Sequence, residues 1–283
     1  MKKVLAMALV TAFVSTAVAE VRVHHIFDNN MVLQRGKPVK VWGWAESQEQ
    51  VAVEFGGHKQ QTKADGDGMW SVEIGPLEAS SKGCQLIVKG AASSVKFDNI
   101  LVGDVWLCGG QSNMEDVLES IYHGDVEVAS ANHPQIRLMT IPAGATPDQQ
   151  VDFERINEFN AWTNRHEEKG SWKVCSPETI KRFSAIGYIF GRRLYLASRV
   201  PIGLIDNSVG GTTVEGWASR KSLEQIPDAL PLLEEWDEKI AAWDAKKDLA
   251  ERIKRWEQDT RTTKSSRRRS SPQTGRLTAR TGV

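Results

Sequence analysis

The run from Ile100 to Cys108 is nearly continuous in apolar side chains, with Asp104 as its single charge. A run of this kind suits a strand buried on both faces, as in a parallel sheet. It ends at Gly109-Gly110, and Ser112 follows at once. Met114, Val117, Leu118 and Ile121 then recur at helical spacing, which predicts a helix over 114–122. The alternation repeats downstream. Phe183, Ile186, Phe190, Leu194 and Ala197 share one helical face, and Pro201 ends that helix. Ile202 to Ile205 reads as a second buried strand running into the small-residue loop Asn207-Ser-Val-Gly-Gly-Thr212. Strand, glycine turn, helix and strand in this order predict a three-layer α/β domain.

Residues 20–97 have a different texture. Val39 to Trp44, Val51 to Phe55, Trp70 to Ile74 and Leu86 to Val88 are short strand candidates separated by Gly, Asp and Pro. This predicts a small antiparallel sandwich. Asp65-Gly-Asp-Gly68 is read as a tight hairpin turn, because the further ligands of a calcium loop are missing.

Both ends are distinctive. Lys2 and Lys3 precede an apolar run from Val4 to Val18, and Ala17-Val18-Ala19 before Glu20 fits a signal-peptidase site. The run is short for a membrane anchor. Cleavage after Ala19 and a periplasmic or secreted protein are expected. Residues 228–258 are expected to form one long helix, from Leu233, Trp236, Ile240, Trp243, Ala250 and Trp256. Beyond Asp259 every charge is basic, from Arg261 to Arg280, and apolar periodicity stops. That tail is read first as the product of a frameshift or premature end, then as a disordered tail, and last as a nucleic-acid arm. The formal net charge of zero offers no global field to recruit nucleic acid or a membrane. The three cysteines, Cys84, Cys108 and Cys175, form no metal motif and are expected to be buried small hydrophobes. The ten tryptophans suit a core or a sugar-stacking cleft.

Chemistry centres on Gly109-Gly-Gln-Ser-Asn-Met114. A serine between a strand and a helix is placed for nucleophilic attack, and helix N-terminal N–H groups stabilise negative charge. Position 114 is Met, so the Gly-x-Ser-x-Gly elbow is not matched. Gly210-Gly211 also follows a buried strand and is expected at the same sheet edge, as a source of oxyanion N–H donors. Each feature alone also reads as an N-cap or a plain glycine turn.

Five segments occur in a telling order: Asn30-Met-Val-Leu-Gln-Arg35; Gly103-Asp-Val-Trp106; Gly110-Gln-Ser-Asn-Met114; Phe183-Ser-Ala-Ile-Gly-Tyr188 with Phe190-Gly-Arg192; and Pro201-Ile-Gly-Leu-Ile205 with Gly210-Gly-Thr212 and Glu215-Gly-Trp217. Together they resemble the sialate O-acetylesterase family, a branch of the SGNH hydrolases. The resemblance implies a flavodoxin-like α/β hydrolase domain with a β accessory portion. It implies hydrolysis of O-acetyl esters on sialic acid or related sugars without metal or cofactor. It places the nucleophile on Ser112 and the oxyanion glycine on Gly211 or Gly210, with Gln111 and Asn113 shaping the turn. The family adds a later Asn block and an Asp-x-x-His. All six histidines here, His24, His25, His58, His123, His133 and His166, precede Gly210. A chain shortened relative to the family, with reduced activity, is therefore expected.

The resulting map is a signal peptide (1–19), a sandwich-like accessory domain (20–97), a hydrolase domain lacking its C-terminal part (98–260) and an aberrant or disordered basic tail (261–283). The expected partner is an acetylated carbohydrate, with no nucleic acid and no membrane contact after signal cleavage. The oligomeric state stays open. Alternatives are a carbohydrate-binding protein without chemistry and an acetylxylan-type esterase.

Overall fold

The computed structural model describes residues 20–142, 150–160 and 165–244, and the helical residues 246–248, 250, 251, 253 and 254. The expected signal peptide and basic tail lie outside the described residues.

Strands β1 (Arg22–Val23), β2 (Val32–Gln34), β3 (Val39–Trp44), β4 (Gln50–Phe55), β5 (His58–Lys63), β6 (Met69–Ile74) and β7 (Ser80–Lys89) lead into β8 (Ser94–Gly110). The helices α1 (Ser112–Glu115) and α2 (Gly124–Ala129) precede β9 (His133–Thr140). Then come β10 (Ile156–Asn160), β11 (Arg165–Lys169), β12 (Lys173–Cys175), α3 (Pro177–Ile180), α4 (Ala185–Ser198) and β13 (Ile202–Ser208). Last are α5 (Arg220–Leu223) and α6 (Leu230–Ala241). The architecture is mixed α/β. A three-stranded antiparallel sheet, β1-β3-β6, faces an eight-stranded mixed sheet of order β12-β9-β13-β8-β7-β4-β5, with β2 also on β8.

The alternating strands pack as their pattern predicts. Val41, Trp70, Val72 and Ile74 of the small sheet meet Val51, Val53, Phe55, Leu86 and Val88 of the large one in one core. Gly56 and Gly57, at φ 54° and 87°, close the two-residue hairpin between β4 and β5. The Asp65–Gly68 turn is not a hairpin. β5 pairs with β4 and β6 with β3, so this turn carries the chain from one sheet to the other. The Asp65 side chain shapes it by accepting the N–H groups of Asp67 and Met69.

β8 is the spine. Residues 94–102 pair antiparallel with β7, residues 101–103 parallel with β2, and residues 104–110 parallel with β13. The position read as a domain boundary, 97/98, thus lies inside one strand. The residues up to Trp217 form one compact unit and those from Ala218 a second. Side chains of the Asn30–Arg35 segment stitch β2 to β8. Gln34 accepts the Val105 N–H, and Arg35 grips Asp104 through two hydrogen bonds of 2.9 and 3.0 Å.

Two helical expectations are corrected in this unit. The helix expected over 114–122 is only α1 and a separate turn at Leu118–Ser120. Tertiary pairing takes the intervening backbone: Leu118 donates to Phe183, Glu119 to Lys181, and Ala185 to Asp116. α4 forms where expected but turns another face inward. Ile186 and Phe190 are 50% and 41% exposed, whereas Ala185, Gly187, Tyr188 and Gly191 are buried. Apart from Tyr188, the buried stripe is made of small residues. A Cβ on Gly191 would stand 2.7 Å from Leu204 Cδ1, so the helix approaches β13 more closely than side chains allow. Arg199, at φ 58°, ends α4 before Pro201 is reached.

In the second unit Leu223, Ala229 and Leu233 form a small core, and Arg220 binds Asp237 through two bonds of 2.7 Å. The helix expected over 228–258 stops at Ala241. Asp244 then accepts the N–H groups of Lys246 and Lys247, which caps a new helical start. No helix among the described residues is long and apolar enough to cross a membrane. All three cysteines are free. Cys108 and Cys175 are buried as expected, whereas Cys84 is partly exposed.

Candidate active site

The parallel register pairs Cys108 with Asp206 and Gly110 with Ser208. Both strands therefore leave the sheet together, at the carboxyl edge where ligands of α/β folds sit. The Val209 N–H donates to the Gly110 carbonyl at 2.9 Å, tying the two turns. Gly110 has φ 148°, which other residues rarely adopt, and this conformation turns the chain into α1. Ser112 starts that helix, with its Cα 3.8 Å from where a Cβ on Gly210 would stand. Folding thus brings Ser112 beside the Gly210-Gly211 loop.

The polar groups around Ser112 are specific. Its Oγ donates to Gln111 Oε1 at 2.8 Å. The same Gln111 oxygen accepts the Ser112 N–H at 3.3 Å. The Gly210 N–H is taken by Glu115 Oε2 at 2.8 Å. Gly211, at φ 77°, has no acceptor for its N–H among the described residues. Of the two expected oxyanion glycines, Gly211 is the one with a free donor. Asn113 is exposed on α1, and its side chain makes no hydrogen bond among the described residues.

The remaining motif segments gather here as supports. Met114 Sδ accepts from Ser184 Oγ, the residue that caps α4 by accepting the Gly187 N–H. Trp217 lies over Gly109 and donates through Nε1 to Thr212 Oγ1, which donates in turn to the Val209 carbonyl. Beneath the loop, Asp206 is buried and accepts from Ser208 N–H and Oγ. Burial raises the Asp206 carboxyl above its ordinary range. Burial, with Asp206 nearby, pushes the Cys108 thiol up to about 11, so this cysteine stays a protonated spacer.

No imidazole bonds to Ser112 among the described residues. His58 and His123 are exposed, and the His166 side chain lies outside the described residues. His133 packs on Tyr195, and its pKa is lowered by burial and then by Arg192 and Arg199. His24 and His25 both reach Asp152, at 3.3 and 2.9 Å. Sequence reasoning missed Glu115 and the Asp152 cluster. The spacings involved, 95 and 127 residues, leave no local signal. No group of three or more metal-ligating side chains occurs among the described residues.

Comparison with known proteins extends this geometry. Residues 102–241 match the carbohydrate esterase family of sialic acid-specific acetylesterases. Sialate O-acetylesterases of Rattus norvegicus and Homo sapiens are each 27% identical over 70% of this chain. The chain spans only 37% and 38% of their lengths. A crystal structure of a carbohydrate acetylesterase from Xanthomonas citri superposes with a TM-score of 0.64 at 32% identity. That match covers 73% of this chain and 44% of the other.

Proposed function

We propose that this chain, whose residues 102–241 match the sialic acid-specific acetylesterase family of carbohydrate esterases, carries the nucleophile and oxyanion loop of a serine esterase that deacetylates sugars. The observation that carries the reading is the convergence of Ser112 with Gly210-Gly211 at one sheet edge. The chemistry is acyl transfer in two steps. Gln111 Oε1 releases both the Oγ and the N–H of Ser112, and the Oγ loses its proton to a base and attacks the acetyl carbonyl. The oxyanion rests on the N–H groups of Ser112 and Gly211, each such donor being worth about 10²–10³ in rate. The tetrahedral intermediate collapses, the sugar hydroxyl leaves with a proton, and water then frees acetate from Ser112. The described contacts of Ser112 supply no base, so turnover by this chain is expected to be slow.

The test is acetate release from an O-acetylated sialic acid and from an acetylated neutral oligosaccharide, for the chain and for Ser112→Ala. Release lost in the variant supports the reading. Equal release by both overturns it. Export completes the proposal: the Lys2–Ala19 segment directs secretion, and the secreted form should begin at Glu20 by N-terminal sequencing.

A further inference from the structure

Beside the proposed oxyanion loop, but on the other side of β13, lies a cleft of about 740 Å³. Side chains alternate along β13. Leu204 faces the α4 core and Ile205 the β core, so Asn207 and Val209 point toward the β layers. They form one wall of the cleft, and His24, Asp152, Phe153 and Glu154 form others. Val209 directly precedes Gly210, so the cleft opens at the same edge as Ser112.

The groups in the cleft differ in how far they are already engaged. His24 Nδ1 accepts the Ile26 N–H, which leaves its other ring nitrogen carrying the proton toward Asp152. Asp152 also accepts the N–H groups of His25 and Phe153 and the ring of His25. That cluster is a rigid rim. The Asn207 amide and the Glu154 carboxylate make no hydrogen bond or ion pair among the described residues, so they are available to a ligand. The Phe153 ring, packed edge-on to His24 at 5.5 Å, adds an apolar surface. Among the described residues that line the cleft there is no Lys or Arg.

We infer that this cleft is a subsite for an uncharged, hydroxyl-rich sugar ring and disfavours a sugar carboxylate. Sugar hydroxyls donate to Glu154 and both donate to and accept from Asn207, while the C–H face of the ring packs on Phe153. An anionic sugar meets the unpaired Glu154 carboxylate beside Asp152, with no Lys or Arg among the described lining residues to offset it. The inference rests on the esterase reading only in making this ring the neighbour of the reacting ester. Binding in the cleft stands apart from it.

The test is isothermal titration at pH 7 with an acetylated xylo-oligosaccharide and with O-acetylated N-acetylneuraminic acid. The neutral ligand is expected to bind at least about tenfold tighter. Asn207→Ala and Glu154→Ala should each weaken it by about tenfold, in line with one lost hydrogen bond. Glu154→Lys, with its fold checked by thermal melting, should narrow the preference. Equal or tighter binding of the acidic sugar, binding of neither, or variants with unchanged affinity overturns the inference. Serine labelling by a phosphonate separates the two claims. Labelling of Ser112 without sugar selectivity sinks the subsite alone. Selective sugar binding with an inert Ser112 sinks the esterase and leaves a sugar-binding cleft.

Discussion

α4 packs closely on β13, the strand that leads into the Gly210-Gly211 loop, and a double-mutant cycle at Gly191 and Leu204 measures that contact. Leu204 is fully buried. Leu204→Ala removes three carbons, about 2.4 kcal/mol at about 0.8 each, and the residual cavity raises the cost to about 3–4 kcal/mol. Gly191→Ala places a methyl 2.7 and 2.8 Å from the two Leu204 methyls. Overlap costs about 1–3 kcal/mol, and the helix gains about 1 kcal/mol from alanine, for a net loss of about 0–2. In the double variant the new methyl enters the vacated space. The helix gain is then unopposed, and one buried methyl returns about 0.8 kcal/mol. The double variant should therefore lose only about 1–2 kcal/mol, some 2–4 less than the sum of the singles. Urea denaturation followed by tryptophan fluorescence gives all four values. Additivity within about 0.5 kcal/mol, or a double variant less stable than Leu204→Ala, refutes this account of the interface.

Two further predictions concern the site and its rim. Glu115→Ala frees the Gly210 N–H and loosens the loop, so serine labelling should slow by up to about tenfold. Glu115→Gln keeps an acceptor and should stay within about twofold of the parent, and equal losses in both variants would contradict the role of this bond. Burial holds His24 below its ordinary value of 6.5. Its contribution to stability is present above about pH 6.5 and is lost as pH falls through the depressed folded value. Melting from pH 7.5 to 4.5 should show a smaller acid loss for His24→Asn than for the parent, and parallel curves would refute the assignment.

Some of this was legible in the sequence and some was not, for physical reasons. The apolar runs at Ile100–Cys108 and Ile202–Ile205 became the parallel β8 and β13. Ile202–Ile205 is buried on both faces as its pattern predicts, whereas Trp106 and Leu107 of β8 are 42% and 67% exposed, so for that strand the apolar run marked the strand but not its full burial. The glycine turns after them marked the site edge, since little else tolerates such backbone angles. The helix at 114–122 failed because segments some 65 residues downstream claim its backbone. The inward face of α4 was misread because hydrophobic periodicity ignores glycine, while Gly187 and Gly191 make the contact. Glu115 and Asp152 became visible only through contacts distant in sequence.

The most direct measurement is the identity of the acylated residue. The chain is incubated with a fluorophosphonate and mapped by peptide mass spectrometry, alongside Ser112→Ala. A slow but single modification at Ser112, absent from the variant, is the predicted result. Modification elsewhere, or an unchanged pattern in Ser112→Ala, would contradict the claim that Ser112 is the nucleophile.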